Sequence, residues 1–156
     1  MKPMDEELHL EMHRAADELG KFSIHMKVHT KEPMDPEQAG KFLDHLLVQI
    51  TEECMRDGAD LIGHVKAFLE PANGGTLGAS LIDFNTGTQL SNGLTGPVSD
   101  ADLTVHVIVH GLWDPDVRHA SLEMIEKVMA EKGVKFEVIK DFYETEKSIS
   151  HHHVKS

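Results

Sequence analysis

Twelve histidines are the side chains of this chain most able to do chemistry, and several fall at alternate positions of apolar segments. Read as a strand, Phe22 to His29 puts Phe22, Ile24, Met26 and Val28 on one side. Ser23, His25, Lys27 and His29 fall on the other. Leu103 to His110 puts Leu103, Val105, Val107 and Val109 on one side, and Thr104, His106, Ile108 and His110 on the other. Leu61 to Leu69 sets His64 and Lys66 opposite Leu61, Val65 and Leu69. Joined in one sheet, these strands give one greasy face and one face carrying His25, His29, His64, His106 and His110. Neutral imidazole ligates divalent transition metals such as zinc, nickel or cobalt, and its protonation makes a contact sensitive to pH.

Strand geometry prunes the metal sets. A rise of about 3.3 Å per residue separates His25 from His29 by roughly 13 Å, and His106 from His110 by as much, so neither pair shares an ion. Neighbouring strands lie about 5 Å apart. A cross-strand pair, His64 with His106 or His25 with His110, reaches one ion if the register allows, with an acidic or water ligand completing a zinc-like site. His9 and His13 form a secondary candidate, four residues apart on one face of an expected helix. They do not make an H-E-x-x-H motif, because Leu10 stands where that motif needs Glu. The run His151 to His153 is a third, chelating by composition alone.

The elements that must position these residues follow from periodicity. Asp5 to Leu19 repeats Leu8, Met12, Ala15, Ala16 and Leu19 at helical spacing, with Gly20 as the expected C-cap. After the first strand, Asp35 and Pro36 open a helix to Arg56 with Phe42, Leu43, Leu46, Leu47, Ile50 and Cys54 in one stripe. Asp57-Gly58 ends it. Strands are expected at Leu61 to Glu70 and Leu77 to Phe84, joined through Pro71 to Gly75. Asn85 to Asp102 reads as a long loop, and loops of that length usually have a function. A strand from Leu103 to Leu112, a helix opening at Asp114-Pro115 and closing at Gly133, and a strand from Val134 to Ile139 complete the order. The expectation is one α+β domain over residues 1–143, its first helix within 1–20, followed by a loose polar tail over 144–156. A mostly antiparallel sheet with helices on one face makes it a ferredoxin-like variant in the order α-β-α-β-β-β-α-β.

Composition and missing motifs exclude several classes. A net charge of −12 disfavours binding to nucleic acid or to an anionic membrane. No apolar run approaches the length of a membrane span. Met1 to Glu7 is acidic and polar, unlike a signal peptide. A single cysteine, Cys54, rules out an intramolecular disulfide and fits a reducing cytoplasm. Its place in the apolar stripe makes it a structural thiol. There is no P-loop and no G-x-S-x-G run. Gly74 to Gly78 precedes a strand instead of a helix. Ser80, Thr104 and the histidines do not select a triad.

The stretch Gly58-Ala-Asp-Leu-Ile-Gly-His-Val-Lys-Ala-Phe68, followed by Leu103-Thr-Val-His-Val-Ile-Val-His-Gly111, resembles the C-terminal part of CobW-type GTPases, which are associated with metals and cobalamin. The likeness spans residues 40–140. It implies a free-standing accessory domain with a partner in metal or corrinoid handling; the family's GTPase activity does not carry over, because its nucleotide-binding half has no counterpart in this sequence.

The reading that results is a cytoplasmic, dimeric, non-catalytic accessory module holding a divalent metal or a metal-related partner on its histidine face. The alternative is a homodimerising or protein-interaction module without metal, tuned by histidine protonation. That face also carries Ile62, Phe68, Ile82, Phe84 and Ile108, too apolar a set to stay bare. A weaker alternative is a small-molecule enzyme with residues 85–102 as a lid.

Overall fold

The computed structural model describes residues 19–143. The expected first helix with His9 and His13, and the tail with His151 to His153, lie outside the described residues. The elements run β1 (Leu19–Met34), α1 (Pro36–Arg56), β2 (Leu61–Pro71), β3 (Leu77–Leu81), β4 (Gln89–Asn92), β5 (Val98–His110), α2 (Asp114–Lys132) and β6 (Val134–Asp141).

The six strands make one sheet in the order β4-β3-β2-β5-β1-β6, and every neighbouring pair is antiparallel. Helix α1 carries the chain from β1 to β2 across β5, and α2 carries it from β5 to β6 across β1. This is the α+β, ferredoxin-like arrangement that the element order implies. The hairpin β3-β4 widens it beyond β2.

Helix α1 forms where its residues say it should. Asp35 Oδ1 accepts from the Gln38 backbone N–H at 2.8 Å, and Gln38 Oε1 accepts from the Asp35 N–H at 2.9 Å, a reciprocal cap ahead of Pro36. Its stripe from Phe42 to Cys54 is buried. Helix α2 ends at Gly133, which takes φ 66° and closes the helix with its own N–H. Both helices pack on one face of the sheet and on each other. Between them and the sheet lie Ile24, Met26, Leu43, Leu46, Leu47, Leu69, Leu103, Val105 and Ile125, all buried.

Three elements differ from their expected form. Gly20 is not a cap: it lies in β1 opposite Val109. The Leu112 carbonyl approaches so closely that a Cβ at Gly20 would sit 2.3 Å from its oxygen. The expected loop 85–102 holds β4 and the start of β5. All four residues of β4 are exposed, so it has no apolar alternation to read and exists through its pairing with β3. The start of β5 is masked in the sequence by Asp100 and Asp102, which pair across to β1. Finally, β3 stops at Leu81, where Asp83 accepts from the Thr86 N–H at 2.8 Å and turns the chain.

A bulge at Gly63 changes which face Leu61 occupies. Ile62 pairs with Val109 and His64 with Ile108, so Gly63 is the extra residue. Leu61 then stands opposite His110, on the outer face, at 64% exposure. Strict alternation sets it with Val65 and Leu69 in the core and sets Ile62 on the histidine face; instead Ile62, opposite Val109, packs against the core.

Candidate interaction face and its histidines

Among the described residues both helices lie on one face of the sheet and none covers the other, and the register lays the side chains of that second face out in rows. Ser23, His106, Lys66 and Ser80 form one row across β1, β5, β2 and β3. His25, Thr104, Phe68 and Gly78 form the next, and Lys27, Asp102 and Glu70 the one after. On the other side of the first row lie Lys21, Ile108 and His64, then His110 and Leu61.

All five expected histidines belong to this face, yet the register disperses them. His25 stands opposite Thr104 while His110 stands opposite Leu19. Six residues of strand, about 20 Å, therefore separate His25 from His110. His64 and His106 are diagonal neighbours across β2 and β5. Among the described residues no group of three His, Cys, Asp or Glu side chains is placed to hold a metal ion.

Four of the five have a side-chain partner. His25 Nε2 lies 3.0 Å from Asp102 Oδ1, and His29 Nδ1 lies 2.6 Å from Asp100 Oδ1. His110 Nδ1 lies 2.6 Å from Asp60 Oδ1, and this hydrogen bond holds the Asp60 carboxyl below its usual range. His106 Nδ1 lies 2.7 Å from Ser23 Oγ, with the Phe68 ring edge-on at 6.3 Å between centroids. His64 is different: its Nδ1 is buried with no hydrogen-bond partner.

Burial is the main reason that His64 and His106 titrate below the ordinary histidine range. Lys66 lowers both further, and His106 adds to the effect on His64. Both are therefore neutral near pH 7. The aspartates, Ser23 and Lys66 complete a network that strand alternation alone did not single out. The available signal was parity: Asp100 and Asp102 fall on the same side as His106.

Ser23 and His106 make a hydroxyl–imidazole contact of the kind that activates a nucleophile. Among the described residues no hydrogen bond joins a carboxylate to His106, and β1, β5 and β2 are interior strands whose backbone N–H groups face ladder partners. The segment 85–97 does not cover the face. It lies at the sheet edge, where Asn92 donates to the Pro36 carbonyl at 2.9 Å and the Gly93 N–H to the Thr76 carbonyl at 2.9 Å. Cys54 is fully buried, and burial, with Asp57 and Glu53 nearby, pushes its thiol up to about 12. No helix among the described residues is long and apolar enough to cross a membrane.

No family model matches the chain, and no curated protein does. Two similar solved structures are crystal structures of AtUAH, one in complex with glyoxylate and one with (S)-hydroxyglycine. Each is 10% identical with a TM-score of 0.43, and the match covers 80% of this chain. The matched region spans 29% of those chains. At that distance the likeness assigns neither fold nor function.

Proposed function

We propose that this chain is a homodimerising module whose uncovered sheet face packs against the same face of a second copy, with histidine protonation tuning the contact. The observation that carries this is the apolar content of a face that no described element covers: Leu61, Ile82 and Phe68 are 64%, 60% and 38% exposed, and Ile108 shares the face with them. Several large apolar side chains left bare on one sheet face of a folded domain mark an interface.

A second copy fits the face in size and charge. Four strands of about 11 residues give a surface of about 700 Å² per protomer, close to what each partner buries in a standard interface. The face carries both signs, with Lys21, Lys27 and Lys66 against Asp60, Asp102 and Glu70. A copy of itself therefore offers each charge an opposite one.

Protonation opposes this contact. His64 and His106 are already partly desolvated, and a second sheet would desolvate them further, favouring their neutral forms. The charged groups around the pair are Lys66 and each other; Ser23 faces His106 from β1, Ile108 faces His64 from β5, and Ile82 lies beyond β3. Association therefore releases protons, and acid reverses it.

A second reading keeps a divalent metal on the face. What favours it is the diagonal placement of His64 and His106, two neutral imidazoles from adjacent strands. The metal- or corrinoid-handling role suggested by the resemblance to CobW-type proteins goes with that reading.

Sedimentation velocity with a chelator present at about pH 7.5, above the histidine range, separates the readings. A dimer that becomes monomeric on Phe68→Glu supports self-association. A monomer at every concentration overturns it, and a dimer that forms only once the chelator is removed and zinc, nickel or cobalt is added supports the metal.

A further inference from the structure

The ends of β1, α1, α2 and β6 surround a cleft on the side of the molecule away from the centre of the histidine face. It has two adjoining lobes of about 360 Å³ and 600 Å³ that share Lys31 and Gly133. Volumes of this order accommodate a small molecule.

The rim of this cleft is cationic in a chain of net charge −12. Lys31 comes from β1, Lys41 from α1, Lys132 from α2 and Lys135 from β6, with His29 at the edge; among the described residues Glu32 is the one carboxylate lining either lobe. Lys132 offsets the negative end of α2. The other three lysines come from three further elements and need another reason to converge. The Lys41 ammonium lies 3.6 Å from Glu37, but both are largely exposed, and such a pair exchanges readily for a better partner. The floor is apolar: Phe42, Met129 and Val134 are buried, and Met34 is partly so.

The walls are held by the backbone. The Lys31 N–H donates to the Gly133 carbonyl at 3.1 Å, which ties β1 to the end of α2. The Asp35–Gln38 cap fixes the start of α1 on the opposite wall.

We infer that this cleft binds a small organic anion: an apolar body on the Phe42–Met129 floor and a carboxylate or phosphate group among Lys31, Lys41, Lys132 and Lys135. Lysine ammonium groups supply point charges and donors for such oxyanions without demanding one geometry. His29 and its cross-strand neighbour Lys135 lie at the end of the sheet face, but the lobes leave out its central rows, so the inference does not rest on the dimer.

The probe is 8-anilinonaphthalene-1-sulfonate, an anion on an apolar body, titrated by fluorescence into the full chain. Citrate and pyrophosphate serve as competitors that separate carboxylate from phosphate preference. The expected result is saturable binding of one probe per chain, displaced by at least one of the two. Lys31→Gln with Lys132→Gln should weaken it by about tenfold, as the loss of two modest ion pairs implies. Phe68→Ser should leave it unchanged. Undiminished binding in the double lysine variant, loss of binding in Phe68→Ser, or no saturable binding at all would each overturn the inference. Both lysines are exposed, so the double variant should fold, and an unchanged far-ultraviolet spectrum verifies it.

Discussion

Ser23 and His106 face each other on β1 and β5, and the Ser23 hydroxyl meets His106 Nδ1 at 2.7 Å. The contact gives a half-buried ring nitrogen its partner. Ser23→Ala leaves that nitrogen unpaired and should cost about 1 kcal/mol. Urea unfolding monitored by circular dichroism measures it. A midpoint unchanged from the parent would show that the hydroxyl contributes nothing.

Acid should weaken both the fold and the proposed dimer. The sign follows from His64 and His106, whose folded values lie below the ordinary 6.5. Below that pH the unfolded chain takes up protons before the folded one does, so stability falls as pH drops through 6.5 toward the folded values. It levels off only below them. Unfolding midpoints at a series of pH values should drop in this window, and His64→Gln with His106→Asn should flatten the drop. A parent curve that is already flat there contradicts the assignment.

Two glycine substitutions should move stability in different directions. In Gly20→Ala the new methyl would lie 2.3 Å from the Leu112 carbonyl oxygen and 2.6 Å from Val117 Cγ2. Backbone cannot yield cheaply, so a loss of about 1–3 kcal/mol is expected. In Gly40→Ala the nearest atom is Leu90 Cδ1 at 3.2 Å, the end of an exposed side chain that can turn away. Helix propensity then gains up to about 1 kcal/mol. Thermal melts of the pair test this, and equal shifts in the two would refute it.

The Cys54 thiol should resist modification in the folded protein. It is fully buried and its pKa is pushed up to about 12, so almost no thiolate is available near neutral pH. Ellman's reagent should react promptly in denaturant and hardly at all without it. Rapid reaction of the native chain would mean that α1 opens away from the sheet.

Leu46, on the buried side of α1, is the test of the core. It is completely buried, and Leu46→Ala should cost about 2–5 kcal/mol, a large share of the roughly 5–15 kcal/mol that holds an ordinary domain together. Chemical denaturation reads it directly, and a cost near zero would place Leu46 outside the packed interior.

Local signals made much of this architecture legible in the sequence. The stripe from Phe42 to Cys54, the Asp35-Pro36 start and the stop at Gly133 place both helices, because capping and 3.6-residue periodicity act within a few residues. The alternation through β1 and β5 puts Ile24, Met26, Val105 and Val107 inward and the histidines outward. Tertiary structure decided what depends on pairing between distant strands. Register separates His25 from His110, brings His106 against Ser23, and sets His25, His29 and His110 against aspartates that lie 77, 71 and 50 residues away. The bulge at Gly63 moves Leu61 outward, and β4 exists because β3 offers it a partner. A side chain's face is written in its neighbours along the chain. Its contacts depend on the sliding of one strand past another, which the packed core fixes only once the sheet has formed.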